Sequence, residues 1–177
     1  MQKTKIFEFL VILAFLFFIN AELTSIQKTI VPAQLSANNE QQTITTEKNL
    51  EELGAPQEKV KDLAHSIIMV SNMTRVDKEL LTAIVKTESN FKYDAKSSKN
   101  YVGLMQTPSA TKIYAEVDIL HGAKILQTKL TMTHGDLLQA LALYKGGDNP
   151  LARRYAKETY ILYNKLLERN KIKGVKV

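Results

Sequence analysis

One carboxylate stands where a chain could use it for proton transfer. Leu81, Ile84 and Glu88 follow one another at spacings of three and four, so they share a helix face. Leu80, Ala83 and Val85 widen the apolar surface around that line. Glu88 therefore points where its apolar neighbours point, toward the interior or a cleft wall. Desolvation there favours the neutral carboxyl and raises its pKa. The C-terminal end of the helix dipole disfavours negative charge and pushes the same way. A carboxylic acid kept protonated near neutral pH is suited to general acid catalysis. The plainer alternative is an acid ending an ordinary surface helix.

The residues after Glu88 favour the chemical reading. Glu88-Ser89-Asn90-Phe91 is followed by Gly103-Leu104-Met105-Gln106, with eighteen residues from Glu88 to Gln106 and Ser97 nine residues after Glu88. Gly103 permits a backbone turn that other residues resist, which would aim Gln106 into a cleft. Two further blocks come in order, Leu143-Tyr144-Lys145-Gly146-Gly147 and Glu158-Thr159-Tyr160.

Together these blocks resemble the soluble lytic transglycosylases of the lysozyme-like superfamily, over about half the chain, from Val76 to Leu167. Three departures stand out. Lys145 replaces the family's Asn, Thr107–Val117 is short, and Leu162 stands where a Tyr belongs. The resemblance implies a lysozyme-like helical domain with a cleft. Strand signals of alternating period are almost absent, so the domain reads as mainly α with at most a small hairpin, around Lys99–Leu104. The resemblance also implies cleavage of the β-1,4 bond between N-acetylmuramic acid and N-acetylglucosamine in peptidoglycan, closing a 1,6-anhydro ring. Glu88 would be the single acid and base, helped by the substrate's own N-acetyl group. Ser97 and Gln106 would hold that group, and Tyr144 would bond Glu88 or the sugar. Phe91 and Met105 would line the cleft as apolar walls, and Lys145 would lie in the substrate-binding set. Substrate-assisted glycosidases need no second carboxylate, and none emerges here. The alternatives are a hydrolytic muramidase on the same scaffold and a noncatalytic wall-binding component of a secretion or phage assembly.

The elements that must position these residues are helical. Asp77 is a candidate N-cap for the Glu88 helix. Gln57–Asn72 has helical apolar spacing and reads as a support helix. Asp118 is read as the cap of a helix over Ile119–Thr131, and Asp136 as the cap of one ending at Gly146-Gly147. Leu151–Asn170 is the final helix. Asp94, in the polar Lys92–Asn100 loop, reads as a turn residue rather than a second acid.

The chain has 177 residues, no cysteine and a net charge of +6. There is thus no disulfide framework. His65, His121 and His134 show no paired ligand spacing, so no metal and no cofactor is expected. Residues 57–177 hold 20 of the 24 Lys and Arg but 12 of the 18 acids. That basic balance suits a polyanionic partner. Nucleic acid is not expected, because no reader motif appears and the chain opens on an export signal. Lys3 and Lys5 precede eleven apolar residues, Phe9–Ile19, too few to span a bilayer. Residues 1–21 therefore read as a signal peptide, with an uncleaved membrane anchor as the alternative. Residues 22–56 are polar and read as a flexible tether, with a helical turn at Glu47–Leu53. Residues 57–170 form the domain and 171–177 a basic tail. The expected setting is the periplasm or cell envelope, acting on glycan strands as a monomer.

Overall fold

The computed structural model describes residues 36–108 and 114–174, with side chains to residue 171. The expected signal segment, the expected tether before residue 36 and the end of the expected basic tail lie outside these residues. The chain divides into two units, residues 1–41 and 42–177. Of the first, residues 36–41 are described, and they are helical and exposed.

The second unit is helical, with no strand among the described residues. Helix α1 covers residues 36–52, its part from residue 42 belonging to this unit. A 3-10 turn at Gln57–Lys59 leads into α2 (Val60–Thr74), and α3 spans Lys78–Ser89. Then come α4 (Ala115–Met132), α5 (Leu137–Lys145) and α6 (Pro150–Gly174). A single antiparallel bridge, Lys96 with Val102, takes the place of the hairpin expected near Lys99–Leu104.

Helix α3 is the centre of the packing. Leu81, Ala83, Ile84 and Val85 are fully buried on it. It meets α2, α4 and α6. A helix buried on most sides cannot tilt freely, so the residues at its end are held in fixed positions. Asp77 occupies its N-cap position but makes no side-chain cap bond. Its carboxylate accepts a hydrogen bond from the Tyr163 hydroxyl of α6 instead. The far end stops at Asn90, which is left-handed at φ 52° and whose N–H donates to the Lys86 carbonyl at 3.0 Å. Asn is among the residues that tolerate this conformation. The buried Thr159 of α6 shares a 3.0 Å hydroxyl contact with Thr87, tying the Glu88 turn to α6.

Residues 36–52 correct the expected flexible tether. They form a helix in which Leu50 is fully buried, and Thr46 and Asn49 are buried with it. Polar residues here build a network that composition alone cannot reveal. Asn49 Nδ2 reaches Asn170 Oδ1 at 3.4 Å, and Asn170 Nδ2 donates to Glu79 Oε1 at 2.7 Å. Glu52 pairs with Arg169 at 2.6 Å, and the Lys86 ammonium donates to the Leu53 carbonyl at 2.7 Å. The domain thus begins well before residue 57. At its other end α6 runs through residue 171, where the basic tail was expected to start.

Candidate active site

Three stretches bring the site together: the end of α3, the loop from Lys96 to Gln106, and the end of α5. Helix α3 delivers Glu88 with its side chain 2% exposed. Helix α5 is capped by Asp136, which accepts from Gln139 N at 3.0 Å, and ends at Tyr144-Lys145. Gly146 then has φ 130°, a conformation costly for a side chain, so the helix stops there. Between them lies a cavity of about 160 Å³ lined by Glu88, Ser97, Ser98, Lys99, Tyr101, Gln106, Tyr144 and Lys145. Five of the residues singled out in the sequence therefore share one cavity.

The Gly-Leu-Met-Gln turn is held from α4. Asp118 Oδ2 accepts from the backbone N–H groups of Leu104 at 2.5 Å and Met105 at 3.2 Å. Gly103 has φ 111°, and a Cβ there would lie 2.4 Å from Asp118 Oδ2. A Cβ on Gly122 would lie 2.5 Å from the Met105 side chain. Both glycines are required by close approach. Asp118 corrects the expected cap: α4 begins at Ala115 with Tyr114 in the cap position, and Asp118 is turned inward, 3% exposed. Burial raises its pKa, partly opposed by the two backbone N–H bonds, His121 and Thr107.

Gln106 is itself left-handed, at φ 50°, and its amide nitrogen donates to the carbonyls of Ala95 and Gly103, each at 2.8 Å. Its side chain is thus oriented before any ligand arrives. Ser97 Oγ accepts from Tyr101 N at 3.0 Å, which closes the loop it sits on. The Tyr144 hydroxyl donates to the Met105 carbonyl at 2.8 Å rather than to Glu88. Phe91 and Met105 are the two predicted residues that the structure keeps out of the cavity. Both are fully buried core side chains. The left-handed turn at Asn90 and Phe91 swings Phe91 inward, and Met105 packs on Gly122 of α4.

Glu88 has one direct partner. Lys145 Nζ lies 2.5 Å from its Oε2, and the same ammonium sits 4.8 Å above the Tyr155 ring of α6. Burial raises the Glu88 pKa, and the Lys145 hydrogen bond and charge lower it, with a smaller lowering from the Tyr155 hydroxyl. Burial wins, and the carboxyl is held above the ordinary range. Tyr144 and Tyr155 are both pushed well above the usual phenol range, by burial first and then by the Glu88 charge. Both remain hydrogen-bond donors at neutral pH. The Tyr155 hydroxyl is buried beside Glu88 without a hydrogen bond of ordinary geometry.

A family model described as the transglycosylase SLT domain matches residues 65–165. The chain belongs to that family. Its polymer is peptidoglycan, and its fold is the helical lysozyme-like one seen here. No curated protein matches the chain. All four sequence blocks of the SLT domain fall inside the matched span, and Glu88, Ser97, Gln106 and Tyr144 come from them or from between them.

Within this SLT domain the sequence gives Asp118, Tyr155, Tyr101, Ser98 and Lys99 no place in the site. Asp118 resembles any first-turn acid, and Tyr155 resembles any aromatic on a packed helix. Neither has a local signal. Lys99 and Tyr101 lie between Ser97 and Gln106, so the span between two motif residues was the available clue.

Proposed function

We propose that this protein is an exported lytic transglycosylase that cuts the β-1,4 bond between N-acetylmuramic acid and N-acetylglucosamine in peptidoglycan. The observation that carries the reading is the placement of Glu88. It is the lone acid among the described residues lining the cavity, it is desolvated, and it shares that cavity with Ser97 and Gln106.

In the protonated form Glu88 donates to the glycosidic oxygen, and the bond from muramyl C1 to that oxygen breaks. The acetamido carbonyl oxygen of the same sugar attacks C1 and holds the positive charge. Glu88, now a carboxylate, accepts the proton of the muramyl 6-hydroxyl. That oxygen attacks C1, displaces the acetamido oxygen and closes the 1,6-anhydro ring. Glu88 ends protonated, and no water is consumed. Ser97 and Gln106 orient the acetamido group, and Tyr144 fixes the turn that carries Gln106. General acid–base catalysis is typically worth about 10²–10⁴-fold. Positioning supplies the remainder.

The test is digestion of purified peptidoglycan followed by mass spectrometry. Wild type should release anhydromuramyl fragments, each lighter by one water than the reducing-end fragments of a hydrolase. Glu88→Gln should lose at least about 10²-fold of that release while keeping the helical fold. Reducing-end products would replace this reading with a muramidase. Undiminished release by the variant would remove Glu88 from the chemistry.

A further inference from the structure

The cavity lining carries two ammonium groups, Lys99 and Lys145, against one carboxylate, Glu88. Lys145 is paired with Glu88 at 2.5 Å, with its side chain 40% exposed. Lys99 sits at the same rim: a Cβ placed on Gly146, the residue after Lys145, would lie 3.7 Å from its Nζ. Proton donation by Glu88, on which this inference rests, requires a neutral carboxyl. At that moment the lining holds two cations and no anion of its own. Lys145 is then left over the Tyr155 ring, at the C-terminal end of α5, with its former counter-charge gone. An ammonium in a partly desolvated rim is stabilised by a new anion, and the anion must arrive with the glycan.

The muramyl unit offers a carboxylate from two sources. Its lactyl ether carries one when free of peptide, and the stem peptide carries others when attached. We propose that Lys145, seconded by Lys99, selects glycans with a carboxylate on the muramyl substituent, exchanging Glu88 for that carboxylate as the sugar enters. Binding of the correct substrate thereby releases the Glu88 carboxylate, which takes up a proton from solvent and becomes the general acid. A neutral glycan, such as a chitin-type chain, enters the same cavity against an intact Lys145–Glu88 pair.

The probe is the disaccharide N-acetylglucosaminyl-N-acetylmuramic acid, which contains no MurNAc–GlcNAc bond and survives incubation. Three forms are titrated into the full chain by calorimetry: the free lactyl carboxylate, the lactyl carboxamide, and the stem-peptide conjugate. One of the two anionic forms should bind about ten-fold tighter than the carboxamide. The arm that does so identifies the source of the carboxylate. Lys145→Gln should bring the ratio to about one, and Lys99→Gln should reduce it in part. Both side chains lie at the rim, so circular dichroism should show unchanged helicity. Equal binding of all three forms, no binding of any, or a preference that survives Lys145→Gln overturns the proposal. Peptidoglycan digestion is run beside it. Cleavage without a carboxylate preference rejects this inference alone, and a preference without cleavage rejects the transglycosylase reading alone.

Discussion

Removal of the Asp118 carboxylate is the sharpest perturbation of the site that leaves the proposed chemical group in place. In the native protein Oδ2 accepts from Leu104 N and Met105 N, both in buried surroundings. Asp118→Ala leaves two buried donors without an acceptor, at about 1–3 kcal/mol each. Two features offset part of that cost. The carboxyl is itself disfavoured by burial, and its Oδ1 has no hydrogen-bond partner. Water can also enter the space left by the side chain. The net loss should be about 3 kcal/mol, or roughly 10 °C in melting temperature for a domain of this size. Asp118→Asn keeps the shape and one oxygen, loses charge assistance, and should cost about 1 kcal/mol.

Activity should fall further than stability. The braced turn also holds the Met105 carbonyl for Tyr144 and carries Gln106. A displacement of about 1 Å there costs on the order of 10²-fold in rate. Thermal melts by circular dichroism and fragment release from peptidoglycan, both at a temperature where each variant is folded, separate the two effects. An Asp118→Ala protein that melts with wild type, or that is folded and fully active, refutes the argument that α4 positions the turn.

Gly103→Ala should destabilise the domain by about 1–3 kcal/mol, because the residue keeps φ 111° and its Cβ meets Asp118; a wild-type melting temperature would contradict this. Tyr144→Phe removes the hydroxyl bond to Met105 and should cost about 1 kcal/mol in a denaturant melt, with a rate loss smaller than that of Glu88→Gln. The pH dependence of stability has a definite sign. Burial holds Glu88 and Asp118 above their ordinary values of 4.5 and 3.8, so the folded state binds more protons than the unfolded one in that window. Their contribution is greatest below those ordinary values and is lost as pH rises through the folded-state pKa. Glu88→Gln removes one share of that loss, so its melting temperature relative to wild type should be higher at about pH 8 than at about pH 4. The same difference at both pH values would show that Glu88 is not desolvated in solution.

The sequence made legible those parts of the fold that local physics fixes. The 3.6-residue period of Leu81, Ile84 and Glu88 located α3 and its inward face. Asp136 and the two glycines after Lys145 marked both ends of α5, because a capping carboxylate and a positive-φ residue act within one turn. What escaped was settled by distant partners. The polar residues of α1 looked like a tether because their counterparts, Asn170 and Arg169, lie at the other end of the chain. Asp118 looked like a helix cap because the N–H groups it serves belong to a turn rather than to its own helix. Phe91 and Met105 looked like cleft walls because a motif gives residue order, whereas the left-handed backbone at Phe91 and the close approach to Gly122 decide which way each side chain faces.

Lys145 shows why residue type at a motif position does not by itself define the chemistry of the acid. An amide there could contribute hydrogen bonds without a charge. An ammonium 2.5 Å from Glu88 opposes the effect of burial, and the two are delivered by different elements, α5 for the cation and the α3–α6 packing for the desolvation. The state of the carboxyl therefore depends on whether that pair is made. Breaking the pair leaves the buried Glu88 charge uncompensated, unless the carboxyl takes up a proton and the ammonium at the rim finds another anion. Both events favour proton donation to an arriving sugar. On the proposed reading, the resting protein keeps this acid paired and presents it protonated at the step that needs it, with the ligand rather than the fold supplying the second anion.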